Sequence, residues 1–250
     1  MTNASAAQAA LLLSRVRRTG EQLVTFPEAL IPQDRAAAYA IQDEIIALEG
    51  EVGGWKIGSG MEAVPVVSPI LAHSFFNSGT TLNIADLMAT LVEVEVGLKL
   101  GADLTARPGG YSRDEVIAAI EGFLPAFEII GTRFAPEYEL PKMLNIGDLQ
   151  VNAAVVSGAL VTDWQGLSLG DLKMSLTIGG KVLETDTGAT LDVIIDSIVW
   201  LANEASLRQG GLRKGQIIIT GSRLKETLGQ AGEAMSANLG ALGTISVKLA

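Results

Sequence analysis

The residue pattern predicts an α+β fold: a mixed, curved β-sheet body preceded by an N-terminal helical segment. Three observations predict it. The first fifty residues carry helical periodicity, and from Trp55 the pattern changes to short apolar or alternating runs broken by Gly, Pro and Asn. Only two helical segments interrupt that later series, too few for regular βαβ units. With 250 residues, 48% of them hydrophobic, the chain can bury a large core. The expected division is a helical appendage over 1–50 and one β-rich body over 51–250.

Ala6 to Arg17 is rich in Ala and Leu and predicts the first helix; a second runs from Asp34 to Leu48, after Pro32. Gly50 and the Gly53-Gly54 pair stop it. Strands are expected over Trp55 to Ile57, Thr90 to Leu100, Ala126 to Ile130 and Val151 to Val156. Further strands are expected over Leu172 to Ile178, Lys181 to Glu184, Gln216 to Thr220 and Thr244 to Leu249. Gly179-Gly180 reads as a two-residue hairpin turn, where both residues can take φ > 0. Ser112 and Glu115 have capping-box spacing and open a helix expected to reach Gly122. Another, Leu191 to Leu207, buries Ile194, Ile195, Ile198, Val199 and Leu201.

Composition narrows the function classes. A chain without cysteine has no disulfide framework, thiolate nucleophile or Cys-based zinc site, which fits a cytoplasmic protein. The positive charges of the N-terminal stretch follow its apolar run, the reverse of a secretory signal. The aliphatic run Ala9 to Leu13 is far below the roughly 20 residues that span a bilayer, so no membrane partner is expected. A formal charge of −10 argues against nucleic acid. It also means that an acidic ligand needs a local reversal of field, such as a bound cation supplies.

In LVEVEVGLKL, alternation puts Glu93 and Glu95 on one strand face and Val92, Val94, Val96 and Leu98 on the other. Their α-carbons are then about 7 Å apart, close enough for both carboxylates to reach one hard divalent cation. From the pair alone, a half-buried strand with a solvated acidic face is the favoured reading, because alternating strands with polar outer faces are common. Glu128 changes the balance. It stands in FLPAFEII, where an isolated ionised carboxylate is costly and is normally paired, protonated or metal-bound. Pairing with Arg133 is the competing account.

Lys56, between glycines in GWKIG, is a candidate to balance a substrate carboxylate or carry a proton, against a snorkelling surface lysine. His73 in SPILAHSFF is the one histidine, which excludes a His-rich zinc site. It reads as a satisfied loop residue or a proton carrier. Thr220, Gly221 and Ser222 follow the apolar QIII run and could meet a ligand carboxylate, although a plain turn explains them too. No GxSxG elbow, Gly-Lys-Ser/Thr phosphate loop or strand-linked GxGxxG is present.

Taken in order, GWKIGSG, VEVEVGLKLGADL, PAFEIIGTRF, WLANEASLRQGGLRKGQIIITGS and LGTISVKL resemble the hydratase and decarboxylase branch of the fumarylacetoacetate hydrolase superfamily. The resemblance spans most of the chain. It implies a fold like that superfamily's C-terminal domain and a Mg²⁺ or Mn²⁺ ion held by Glu93, Glu95 and Glu128. It implies Lys56 beside a small 2-oxo or 2-hydroxydienoic acid; Thr220, Gly221, Ser222 and His73, candidates from their own local sequence, are the further substrate contacts expected. Homo-oligomers are implied too, and association with a pathway aldolase or decarboxylase.

The activity so implied is a hydro-lyase of aromatic catabolism. A 4-oxalocrotonate-type decarboxylase, an acylpyruvate hydrolase and a non-catalytic 2-oxoacid-binding or assembly partner are the alternatives. The chain departs from the family pattern where Asp148-Leu149-Gln150-Val151 replaces the usual Asp-Asn-Ala-Ser. Asp148 survives as a catalytic candidate, and Asn152 could supply a hydrogen bond in place of the Ser. The Gly-Asn-Pro that commonly opens the long helix is replaced around Leu191 to Val193, and no acidic residue stands near His73 and Ser74.

Overall fold

The structure, a computed structural model, describes residues 1–58 and 65–250. Ser59 and Gly60 of the GWKIGSG segment lie outside the described residues. Helix α1 (Asn3–Thr19) is capped by Thr2, whose hydroxyl accepts from Ser5 N–H at 3.2 Å, and ends at Gly20 in the left-handed region, φ 72°. Helix α2 (Arg35–Glu49) is capped by Asp34, which accepts from Ala37 N–H at 2.8 Å. Their apolar stripes, including Ala9, Leu13, Ile41 and Ile45, bury against Phe134, Leu144 and Leu149. The N-terminal helices therefore share a core with residues of the body.

The strands that follow are β1 (Val52–Gly58), β2 (Val66–Leu71), β3 (Phe75–Asn77), β4 (Thr81–Leu82), β5 (Ala89–Leu100) and β6 (Leu104–Thr105). Helix α3 (Arg113–Ala119) leads into β7 (Ile120–Gly131), and α4 (Lys142–Gly147) precedes β8 (Asn152–Ser157). Next come β9 (Met174–Ile178), β10 (Lys181–Thr185), α5 (Leu191–Trp200), β11 (Gly211–Leu212), β12 (Ile217–Thr227), β13 (Ala234–Asn238) and β14 (Thr244–Leu249). Seven strands form one sheet in the order β2-β1-β12-β5-β7-β8-β3, and five form another in the order β10-β9-β13-β14-β4. Parallel pairing of β1 with β12 and of β3 with β8, among antiparallel neighbours, makes the large sheet mixed. The fold is α+β, as the sequence predicts.

Alternation assigns the two faces of the large sheet. Trp55, Val92, Val94, Val96, Phe123 and Phe127 face the small sheet and join its Leu176, Met235, Ile245 and Val247 in the main core, which α5 closes with Ile194, Ile195 and Ile198. The opposite face carries Lys56, Glu93, Glu95 and Glu128 beside a smaller apolar cluster of Leu124, Ala126, Val155 and Ile219. Among the described residues no helix is long and apolar enough to cross a membrane.

Several boundaries differ from the sequence reading. The helix expected to reach Gly122 stops at Ala119, because Ile120 already pairs with Leu100 and the chain enters the long β7 ladder. The strand expected to end at Thr220 runs to Thr227, so the TGS triplet lies inside a strand. Strands β2, β3 and β13 carry too little uninterrupted apolar sequence to be read as strands; β2 contains Pro69, tolerated because β2 is an edge strand. The long helix expected over Leu191 to Leu207 gives way to a π turn over Leu201–Ala205 and a short 3₁₀ turn before Gly210. The Gly179-Gly180 hairpin has φ values of 55° and 77°, as its residues require.

Candidate metal centre and its cavity

Glu93 on β5 stands directly opposite Glu128 on β7, and Glu95 follows on the same face opposite Ala126. One carboxylate oxygen from each of the three lies within 4.8 Å of the others. Glu128 is 0% and Glu95 2% exposed. Like charges directly across a ladder destabilise a sheet, and burial adds to the cost. Desolvation, then the Glu128 charge, holds the Glu95 carboxyl well above the ordinary carboxylate range, against the favourable Lys56 charge and Gly221 N–H. The same two causes in the same order raise Glu93.

Neighbouring groups offset part of this cost. Lys56 Nζ donates to Glu128 Oε1 at 2.5 Å and to the Gln150 carbonyl at 3.3 Å. Asn152 Nδ2 donates to the same Glu128 oxygen at 2.7 Å. Glu128 Oε2 is buried and has no hydrogen-bond partner among the described residues. A second oxygen left bare beside two other carboxylates fits a hard divalent cation, which takes oxygen ligands from carboxylates. The competing partner read from sequence, Arg133, goes elsewhere.

Strand β12 completes the wall through two register shifts, between Ile219 and Ser222 and between Ser222 and Leu224. Each places one extra residue against β5, and such bulges re-aim backbone and side chains. At the first, Thr220 Oγ1 donates to the Val96 carbonyl at 2.8 Å, and Gly221, at φ 108°, turns its N–H onto Glu95 Oε2 at 2.7 Å. That backbone conformation is open to glycine and strained for other residues. Ser222 follows, its hydroxyl donating to the Leu224 carbonyl at 3.2 Å.

Asp148 and Asn152 bracket a turn in which Leu149, Gln150 and Val151 all have φ between 50° and 53°. Left-handed backbone costs L-residues roughly 1–2 kcal/mol each, and for β-branched Val151 it is a marked outlier. Arg133 clamps the turn's ends: Nε donates to Asp148 Oδ2 at 2.7 Å, Nη2 to the Asp148 carbonyl at 3.3 Å and Nη1 to the Asn152 carbonyl at 3.4 Å. Arg17 Nη2 donates to Asp148 Oδ1 at 2.8 Å. The turn delivers Gln150 to the cavity wall, where Nε2 donates to Ser68 Oγ at 2.8 Å.

The resulting cavity holds about 410 Å³ and is lined by the three glutamates, Lys56, Gln150 and Ser222, together with Arg223 and Lys225. Of the residues expected at the site, the structure thus brings together Lys56, Glu93, Glu95, Glu128, Gly221 and Ser222, with Asn152 touching Glu128. Thr220 supports the bulge from behind. Asp148, expected to be catalytic, does not line this cavity, because both carboxylate oxygens are taken by arginines. His73 is exposed on the turn after β2 and borders a separate space of about 210 Å³ with Arg17 and Arg133. Sequence reasoning missed Gln150, Arg223 and Lys225; continuing the strand pattern past Thr220 would have exposed the last two.

Known proteins share this arrangement of elements. Over 259 residues the chain is 26% identical to the 2-keto-4-pentenoate hydratase of Paraburkholderia xenovorans (strain LB400), covering 98% of this chain and 95% of that one. It is 27% identical over 258 residues to the 2-oxo-hept-4-ene-1,7-dioate hydratase of Escherichia coli, covering 94% of each. The solved structure of 4-oxalocrotonate decarboxylase from Pseudomonas putida G7, complexed with magnesium and adipate, superposes with a TM-score of 0.84 at 18% identity, covering 100% of this chain and 99% of that one. Residues 59–250 match the fumarylacetoacetate (FAA) hydrolase C-terminal family. That match covers well over half of the chain, which therefore belongs to the fumarylacetoacetate hydrolase family.

Proposed function

We propose that the protein is a divalent-cation-dependent hydro-lyase that adds water to a small 2-hydroxydienoate, the kind of reaction its hydratase relatives are named for. The observation that carries this reading is the register of Glu93 against Glu128, with Glu95 beside them on one buried face. Glu93, Glu95 and Glu128 would hold Mg²⁺ or Mn²⁺. Bound there, the cation supplies Lewis acidity that lowers the energy of negative charge developing on the substrate's 2-oxygen.

The proton inventory falls to the chain. In a 2-hydroxy-2,4-dienoate the 2-hydroxyl must lose a proton and carbon 5 gain one; water then adds its oxygen at carbon 4 while a proton ends on carbon 3. To this exchange we assign Lys56, whose Nζ is buried, lines the cavity and donates to Glu128. Asn152 fixes the orientation of Glu128, and the Gly221 N–H that of Glu95. Gln150 and Ser222 add polar groups to the cavity lining that would meet the substrate. Asp148 acts through the turn that it and Arg133 hold, and this reading gives no role to His73, which borders a separate cavity.

The test follows the loss of dienol ultraviolet absorbance after EDTA treatment and then after addition of Mg²⁺ or Mn²⁺. Turnover that disappears with EDTA and returns with either ion is the expected result. Absence of cation-dependent turnover on any 2-hydroxydienoate, with Mg²⁺ binding intact, would leave a 2-oxoacid binder instead of a catalyst.

A further inference from the structure

We propose that the substrate carries a second carboxylate at the end remote from its 2-oxo group, and that Arg223 with Lys225 recognises it. The inference rests on reading the three glutamates as the cation site that grips the 2-oxoacid end.

The second register shift of β12 carries the argument. Ser222 pairs with Glu95 and Leu224 with Val94, so Arg223 is the extra residue between them. Leu224 packs on the main core, while Arg223 lines the cavity of the glutamates. Lys225, directly across from Glu93, lines the same cavity. One inserted residue thus puts two cations on the cavity side within three positions.

The Arg223 guanidinium is held in place. Nη2 donates to the Ala189 carbonyl at 2.7 Å and Nη1 donates to the Leu169 carbonyl. Gly188 gives it room, since a Cβ at that position would overlap the guanidinium. Neutral carbonyls orient the group without cancelling its charge, and a fixed planar guanidinium is suited to a carboxylate.

Charge balance points the same way. Among the described residues the cavity is lined by three cations, Lys56, Arg223 and Lys225, and three anions, Glu93, Glu95 and Glu128. Addition of a divalent cation leaves two positive charges. A dianion matches them, whereas a monocarboxylate leaves one unmet in a space partly shielded from water.

The test compares 2-oxoadipate with 2-oxohexanoate, acids of equal chain length that differ in the distal carboxylate, by calorimetric titration of the Mg²⁺-loaded protein. The wild type is expected to bind 2-oxoadipate at least about tenfold more tightly, the size of one charge-assisted hydrogen bond. Lys225→Gln, a change at an exposed position, and Arg223→Gln should each narrow that ratio, weakening 2-oxoadipate more than 2-oxohexanoate. Arg223→Lys keeps the charge and should retain part of the preference if Arg223→Gln fails to fold. Equal Mg²⁺-dependent affinity of the wild type for both acids, or a ratio that survives Lys225→Gln and Arg223→Lys undiminished, overturns the inference and leaves the cation site standing. Absence of Mg²⁺-dependent binding of either acid and of oxalate overturns the cation-site reading itself, and this inference with it.

Discussion

Replacing Asp148 with alanine leaves Arg133 without a counterion at a site where that residue is 1% exposed. The guanidinium is already held down to about 10 by burial and the neighbouring Arg17 charge, against the opposing pull of Asp148. Removing one partner of a buried ion pair costs about 3–5 kcal/mol, most of it from the charge left unpaired. At roughly 2–4 °C per kcal/mol for a chain of this size, Tm should fall by roughly 6–20 °C. Differential scanning calorimetry in cation-free buffer measures it. Adding Arg133→Met to Asp148→Ala removes the stranded charge and should recover part of the loss, with a coupling energy of about 1 kcal/mol or more. A Tm within about 2 °C of wild type for Asp148→Ala, at the same conversion, refutes the assignment of Asp148 as the clamp of the turn and returns it to the list of groups that act on substrate.

Glu128→Gln should abolish the stabilisation that Mg²⁺ gives the wild type, about 2.7 kcal/mol at a hundredfold excess over Kd; a thermal shift retained in the variant would remove Glu128 from the cation site. Gly54→Ala should lower Tm by roughly 2–12 °C, from an overpacking cost of about 1–3 kcal/mol, because a Cβ there would overlap the Ile217 carbonyl oxygen and crowd the Phe75 ring. An unchanged melting curve would show that β1 and β12 do not approach so closely. The raised carboxyls of Glu93 and Glu95 give the cation-free protein a defined pH trend. In the window between the ordinary carboxylate range and their raised values the folded chain holds more protons than the unfolded one. Stability is therefore full below that window and is lost as pH rises through it. Thermal denaturation in EDTA across that range should show Tm falling with rising pH, and saturating Mg²⁺ should flatten or reverse the slope.

The glutamates were legible because two local signals survive in one dimension. Period-two alternation puts Glu93 and Glu95 on one face, and an apolar neighbourhood makes Glu128 conspicuous. What joins them is the pairing of Glu93 with Glu128, and register is a property of two strands that neither states alone. Arg223 and Lys225 were hidden for a related reason. After Thr220 the chain reads Gly-Ser-Arg-Leu-Lys-Glu-Thr, a turn by composition, because a strand that faces a polar cavity and contains bulges loses its apolar alternation. The left-handed turn at Leu149 to Val151 has no glycine to announce it and is stabilised by Arg17 and Arg133, distant in sequence. The helix that ends at Ala119 shows tertiary pairing overriding local propensity, since Ile120 pairs with Leu100 and the residues after it continue along β5 toward Ala89.

Both costs in this fold, clustered carboxylates and a left-handed turn, meet on the same face of the large sheet, and one connection joins them. Asn152 ends the turn and also donates to Glu128, while the carbonyl of Gln150 accepts from Lys56. Releasing the turn would therefore disturb both partners of the Lys56–Glu128 pair at once. The opposite face of the same strands is packed into the two-sheet core, with Val92, Val94, Val96 and Phe127 at 0% exposure, so the backbone carrying the carboxylates cannot relax away from them. The charge demand is built into the resting protein before any ligand arrives, which is the condition under which a bound cation and a positioned ammonium group act without reorganisation cost.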